Sequence, residues 1–188
     1  GRLGNEGDTL DAAWTPDGRG VVFAATTNRH EAARAEVNVS LWHVMLAGGE
    51  PRRLTGAEGD YSSPAFTRDG KVLLAKVQPA SPQWVYTAAR LVRWSWPSLD
   101  GRTVLTDGFD ESVGQYVPGP DNRRVYFLAE RAGHERLFSV PLAGGAVKEV
   151  GELLAGTYTR IAIGGAASQP AMAAIWSSAV HPHELGRV

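Results

Sequence analysis

Short apolar runs separated by tight-turn residues extend along the whole chain. The runs at 21–24, 72–75 and 125–128 are rich in β-branched and aromatic side chains, which favours β-strands. Each run follows an Asp-Gly or Asp-Asn pair by a few residues, and such pairs allow two antiparallel strands to reverse. Residues 37–44 also alternate between polar and apolar for part of their length. The pattern therefore predicts many short strands joined by turns, and no long helices.

The turns recur at a fixed spacing. Asp17, Asp69 and Asp121 are each 52 residues apart. A second turn motif, at 46–49, 99–101 and 142–145, follows each of them in the same order. A period of this length is typical of β-propellers, in which each blade is a four-stranded sheet. A non-repeating all-β sandwich is the alternative, because Asp-Gly turns are common in β proteins.

The repeat predicts an all-β fold, a partial β-propeller of about three and a half four-stranded blades within one domain, 1–188. We assign residues 1–11 to the end of a preceding blade, 12–61, 62–113 and 114–156 to three blades, and 157–188 to an incomplete blade. The segment is expected to belong to a longer protein. An open propeller exposes strand edges and an apolar blade face, so the isolated chain is expected to self-associate.

Charge and composition exclude several classes of function. Nineteen Lys and Arg residues against twenty Asp and Glu residues leave a net charge of −1, which argues against nucleic acid as the partner. The absence of cysteine excludes disulfides, Cys-based zinc sites and cysteine nucleophiles. No apolar run approaches the roughly 20 residues that span a bilayer, so no membrane association is expected. The compartment, cytoplasmic or periplasmic, stays open.

Several ordered motifs resemble a known family. Residues 14–18 (Trp-Thr-Pro-Asp-Gly) and 46–55 (Leu-Ala-Gly-Gly-Glu-Pro-Arg-Arg-Leu-Thr) are similar to WD40-like propeller repeats of S9 (prolyl oligopeptidase family) serine peptidases and of TolB-like proteins. Residues 91–97, 105–114 and 174–185 resemble the later blades of the dipeptidyl-aminopeptidase and acylaminoacyl-peptidase branch. The resemblance covers nearly the whole chain.

This resemblance implies a non-catalytic role. In the S9 family the propeller caps a C-terminal α/β-hydrolase domain that carries a Ser-Asp-His triad. The propeller admits peptides to the active site and excludes folded proteins. The nucleophile pattern Gly-x-Ser-x-Gly does not occur in this sequence, so we expect no catalytic residue and no cofactor here. The implied partners are a hydrolase domain of the same parent chain and a peptide substrate. The alternative is a TolB-like propeller that binds proteins and carries no hydrolase.

An acidic loop is the first candidate for substrate binding. Asp110 and Glu111, with Asp107 nearby, would lie near the central opening. Aminopeptidases of the resembled family bind a substrate amino terminus with propeller carboxylates, although these residues match no such motif closely. The alternative is a turn between blades in which carboxylates accept backbone N–H groups.

Tryptophans are the second candidate. Trp94 and Trp96 are two residues apart, so both would face the same side of a strand, where one or both would line a groove. The alternative for both is packing between blades, which is also the expected role of Trp14. His181 and His183 flank Pro182, but no third ligand follows at regular spacing. We therefore predict a structural turn there and no metal site.

Overall fold

The computed structural model describes residues 11–27, 30, 37–81, 87–151 and 156–187. These residues form β-strands and no α-helix, arranged in four antiparallel sheets, which confirms the predicted all-β partial propeller. The segment assigned to a preceding blade lies, apart from Asp11, outside the described residues.

Each sheet is an up-and-down meander in which sequential strands pair. Sheet 1 contains β1 (Ala12–Trp14), β2 (Gly20–Ala25), β3 (Ser40–Met45) and β4 (Arg52–Arg53). Sheet 2 contains β5 (Gly59–Phe66), β6 (Val72–Pro79), β7 (Arg90–Ser95) and β8 (Thr103–Val104). Sheet 3 contains β9 (Tyr116–Pro118), β10 (Arg124–Arg131), β11 (His134–Pro141) and β12 (Lys148–Glu149). Sheet 4 contains β13 (Thr157–Ala166), β14 (Gln169–Ser178) and β15 (His181–Arg187).

The Asp turns join the first strand of each sheet to the second. In sheet 1 the Thr15 hydroxyl donates to the Asp17 carboxylate at 2.6 Å, and that carboxylate accepts the backbone N–H of Arg19. Gly18 follows with a φ of 68°, a conformation in which a side chain would be strained. Sheet 2 repeats this arrangement at residues 67–71. Local hydrogen bonds therefore explain why the motif recurs in the sequence.

The core consists of three clusters, one at each junction between neighbouring sheets, because side chains along each strand point alternately to the two faces of its sheet. In β6, Leu73, Ala75 and Val77 pack toward sheet 1, whereas Leu74 packs toward sheet 3. In β10, Phe127 packs toward sheet 2 and Leu128 toward sheet 4. Because successive side chains of a strand point to opposite faces, each inner sheet is buried on both faces.

Two faces of the molecule follow from the meander. The connections β1–β2, β5–β6 and β9–β10 lie at one end of the sheets, together with the connections after β3, β7 and β11. We call this end the Asp-turn face. Two of its turns touch: the backbone N–H of Asp69, between β5 and β6, donates to the side chain of Asn122, between β9 and β10, at 3.2 Å. The opposite end, which carries the segment 105–115, is the loop face.

One sequence prediction about the last sheet was wrong. His181 and His183 lie in strand β15, not in a turn. The chain reverses just before His181, between the end of β14 at Ser178 and the start of β15. There the Ser178 hydroxyl contacts both the Val180 N–H and the His181 ring. The strand begins early because Ser178, a short hydroxyl side chain, satisfies the turn backbone itself.

Candidate functional site

Glu111 holds the loop between β8 and β9 on the loop face. Its carboxylate accepts a hydrogen bond from Arg131 of β10. The Arg131 guanidinium also lies over the Phe138 ring at 4.6 Å and the Phe109 ring at 5.7 Å, contacts that favour a planar cation. The Arg131 hydrogen bond is the main reason that the pKa of Glu111 is below its ordinary value.

The same loop is fixed by its backbone as well. Arg90 of β7 donates to the carbonyls of Phe109 and Glu111, and the Ser112 hydroxyl accepts the N–H of Ala89. Asp110 stands beside these contacts with an exposed side chain. Glu111 is therefore committed to a structural ion pair, whereas the Asp110 carboxylate faces solvent.

The two tryptophans differ in environment. Trp94 is only 5% exposed and lies in the core between sheets 1 and 2, with its ring 5.8 Å from that of Tyr61. Trp96 is half-buried, and its ring meets those of Phe66 and His43 edge-on at 5.1 and 5.4 Å. Trp94 is thus a packing residue in this structure, while Trp96 borders a surface cleft.

That cleft lies on the Asp-turn face between sheets 1 and 2. Its volume is about 340 Å³, and its lining residues are Thr15, Pro16, Asp17, His43, Met45, Trp96 and Pro97. The lining is mainly apolar. Burial, and secondarily the charge of Arg52, lowers the pKa of His43, so the imidazole is neutral near pH 7.

The four predicted residues do not form one site. Trp96 follows β7 and lies on the Asp-turn face, whereas Asp110 and Glu111 follow β8 and lie on the loop face. Two antiparallel strands carry their following connections to opposite ends of the sheet. Substrate binding by these residues stays a prediction. Trp14, for which packing between blades was expected, is 64% exposed.

The first strands of the sheets contact one another through side-chain to backbone hydrogen bonds. Ser63 lies at an irregularity of β5 and has a φ of 55°. Its N–H donates to the Asp11 carboxylate at 2.6 Å. Its carbonyl accepts a hydrogen bond from the Tyr116 hydroxyl. Burial, with a further contribution from Asp11, raises the pKa of Tyr116 well above its ordinary value. One residue thus connects three sheets.

The third and fourth sheets are joined in an equivalent way. The Gln115 side chain donates to the carbonyl of Ile161 at 3.1 Å and accepts the Ile161 N–H at 2.8 Å. Asp11, Ser63 and Gln115 are again 52 residues apart. This spacing is the sequence signal that could have identified the three positions, and our sequence analysis missed it.

These strands converge on a second cleft at the Asp-turn face, which we call the axial cleft. It has a volume of about 340 Å³ and lies between sheets 2, 3 and 4. Its walls combine apolar side chains with glycine backbone, and one cation, Arg68, borders it: the lining includes Phe66, Arg68, Pro118, Pro120, Ile163 and Gly165. Sequence reasoning did not identify this cleft, since its walls come from three separate repeats.

Neither a metal centre nor a membrane span is found in the described part of the chain. Among residues 11–27, 30, 37–81, 87–151 and 156–187, no three His, Cys, Asp or Glu side chains are placed to hold a metal ion. No helix within those ranges is long and apolar enough to cross a bilayer.

One curated relative and several solved structures resemble the chain, although no protein-family model matches it. Dipeptidyl-peptidase 5 of Porphyromonas gingivalis is 24% identical over 141 residues, which are 74% of this chain and 20% of the relative. The chain thus spans about a fifth of the length of that relative.

The structural neighbours include propellers of peptidases and TolB, and also an apocarotenoid oxygenase from Synechocystis. The β-propeller domain of the Trilobed protease from Pyrococcus furiosus superposes with a TM-score of 0.68 at 14% identity, over 96% of this chain and 49% of that one. The acylaminoacyl peptidase of Pyrococcus horikoshii gives 0.67 at 16% identity, over 96% of this chain and 26% of that one. TolB from Acinetobacter baumannii superposes with a TM-score of 0.64 at 16% identity, over 95% of this chain and 40% of that one.

The structures establish the propeller fold, and the curated relative adds similarity in sequence to a peptidase. Together they confirm the predicted resemblance of this chain to the N-terminal β-propeller portion of S9-type peptidases.

Proposed function

We propose that this chain is the non-catalytic propeller portion of an S9-type serine peptidase, and that it limits which molecules reach a C-terminal α/β-hydrolase domain of the same parent protein. The observation that carries the proposal is the sequence similarity to dipeptidyl-peptidase 5, which extends over three quarters of the chain. Fold alone would not support a function, since TolB shares it.

Selection by size needs rigid first strands, and three contacts supply that rigidity. Asp11 binds the Ser63 N–H, Tyr116 binds the Ser63 carbonyl, and Gln115 binds both backbone groups of Ile161. Each of these hydrogen bonds joins neighbouring sheets and not two strands of one sheet. An opening bordered by strands fixed in this manner admits an extended peptide and rejects a folded protein, because widening it would break several such bonds together.

The proposed acyl-transfer chemistry belongs to the parent protein. A serine nucleophile, a histidine base and an oxyanion hole would all be contributed by the hydrolase domain. The role of this chain would be to hold the peptide and exclude larger molecules.

The test uses the full-length gene product and two substrates of matched sequence. One is a small folded protein, and the other is a peptide copied from one of its surface strands. We expect the peptide to be hydrolysed and the folded protein to stay intact. As the control, a covalent serine-hydrolase inhibitor should abolish hydrolysis of the peptide. Equal hydrolysis of both substrates would contradict the size selection.

If the full-length protein shows no hydrolysis that the serine-hydrolase inhibitor abolishes, the alternative is favoured: a TolB-like propeller that binds proteins. The sequence of the gene beyond the codon for Val188 distinguishes the two before any assay. The peptidase proposal expects a Gly-x-Ser-x-Gly motif followed by Asp and His.

A further inference from the structure

Arg68 departs from the repeat at a position where its counterparts are proline. Pro16, Arg68 and Pro120 are each 52 residues apart, at the residue before the turn Asp. Proline is favoured there because it fixes the φ that such turns require. An arginine gives up that conformational restriction, which stabilises a fold at compatible sites. The turn in sheet 2 thus lacks a stabilising residue that the other two turns have.

The Arg68 side chain reaches across the axial cleft. Its Nη1 donates to the carbonyl of Gly165 at 3.0 Å, so a residue of sheet 2 contacts sheet 4 past the intervening sheet 3. A guanidinium has five N–H donors in a planar fork. Among the described residues the bond to Gly165 uses one of these donors, and Arg68 lines the cleft together with Phe66, Pro118 and Ile163.

The neighbouring carboxylates are engaged within their own turns. Asp69 accepts the Thr67 hydroxyl and the Lys71 N–H, and Asp121 accepts the Arg123 N–H. With the described residues, Arg68 forms no ion pair. Lys71 and Arg123 are exposed on the same face. The mouth of the axial cleft therefore combines apolar side chains with a cation that has no carboxylate partner among the described residues.

We propose that the axial cleft binds a carboxylate of an extended peptide, with Arg68 donating to its oxygens and the apolar walls contacting the adjoining side chain. The charge complementarity selects an anion, and the planar fork of arginine matches a carboxylate in two-point geometry. The inference rests on the proposed function in taking a peptide as the molecule that reaches the axis. The carboxylate belongs either to the peptide C-terminus or to an acidic side chain, and the test distinguishes them.

The experiment measures peptide binding to the 188-residue chain by fluorescence anisotropy. Three probes share an N-terminal dye and an alanine-rich sequence: one ends in leucine with a free carboxylate, one in leucine amide, and one in glutamate amide. We expect the free acid or the glutamate probe to bind at least about tenfold more tightly than the leucine amide. The tighter of the two identifies the source of the carboxylate.

Matched variants assign this preference to Arg68. Arg68→Pro introduces the residue that the equivalent turns carry, so the turn is preserved, and Arg68→Gln retains donors without the charge. Both are expected to reduce the preference to less than about twofold. Arg19→Ala removes an exposed cation of the same face that does not line the cleft, and it should leave the preference unchanged.

Three results would overturn the inference: no binding of any probe, equal binding of all three, or loss of the preference in Arg19→Ala as well. Each is measured on the chain itself and does not depend on hydrolysis. A parent protein without peptidase activity would refute the proposed function while leaving the measured binding intact, so the two failures are distinguishable.

Discussion

The Thr67 hydroxyl shows how much of a turn depends on one buried atom. It donates to the Asp69 carboxylate at 2.6 Å and accepts the Val72 N–H at 3.1 Å, and Thr67 is 3% exposed. The same pair of contacts occurs at Thr15. These bonds explain why the motif begins with threonine in the first two repeats.

We expect Thr67→Val to destabilise the chain by about 1–3 kcal/mol, because it removes the acceptor of the half-buried Val72 N–H. Thr67→Ser keeps the hydroxyl and is the control. Urea unfolding measures the change in free energy. The pKa of Asp69, which the Thr67 hydrogen bond lowers most, should rise in the valine variant in NMR titration. An unchanged Asp69 pKa would contradict this account of the turn.

The Glu111–Arg131 pair makes a pH-dependent contribution to stability. The pKa of Glu111 is lowered in the folded chain, chiefly by Arg131. The ionised carboxylate therefore stabilises the fold above its unfolded pKa of about 4.3, and this contribution is lost as the pH falls through the lower folded value.

In Arg131→Ala we expect the Glu111 pKa to return toward its ordinary value and the stability to depend less on pH below about 5. Arg131→Lys keeps the charge without the planar contacts to Phe109 and Phe138, so it should restore only part of the shift. Carboxyl titration by NMR, paired with thermal melts from pH 3 to 7, measures both effects. A wild-type Glu111 pKa at or above the ordinary value would exclude the ion pair.

At the scale of elements, Gln115 joins sheets 3 and 4 through two hydrogen bonds to Ile161. Gln115→Ala should accelerate hydrogen exchange of the Ile161 amide by roughly twofold to tenfold, which corresponds to the net contribution of one such bond. Gln115→Glu keeps the acceptor for the Ile161 N–H but places a carboxylate oxygen against the Ile161 carbonyl, so partial protection is expected.

The amide of Leu91, which donates to the Thr106 hydroxyl in sheet 2, is the internal control. Its exchange should not change in either variant. Equal acceleration at Leu91 and Ile161 would indicate global destabilisation and would contradict a local role for Gln115.

Elements were more predictable from the sequence than their contacts. The apolar runs at 72–75 and 125–128 lie within β6 and β10, because β-branched and aromatic residues suit a sheet buried on both faces. The axial cleft could not be predicted, since Phe66, Pro118 and Ile163 meet only after three sheets have packed. Glu111 was singled out for its charge, yet its partner Arg131 is 20 residues away on another strand.

For the whole molecule, the described residues leave one sheet face of sheet 1 partly uncovered. Val22 and Leu41 pack toward sheet 2, so Trp14, Val21 and Val44 point away from it. Trp14 is 64% exposed. Exposed apolar faces of this kind promote association.

We therefore expect the isolated 188-residue chain to self-associate with increasing concentration in sedimentation velocity. Trp14→Glu should weaken the association, since it places a charge on the apolar face. Val180→Glu adds the same charge at the turn between β14 and β15, where Val180 is 83% exposed, and should not. A monodisperse wild-type chain over the accessible concentration range would contradict the expectation.

The division of the core into three clusters has a consequence for how such chains change length. Each cluster is formed by two neighbouring sheets, and each inner sheet contributes one face to the cluster before it and the other face to the cluster after it. Insertion of one complete 52-residue unit creates one additional junction and alters only the junction at which it enters. Duplication within the gene is thus compatible with folding whenever the faces of the copied unit fit each other. The number of blades then becomes a quantity that evolution can change in whole steps while every other junction keeps its packing.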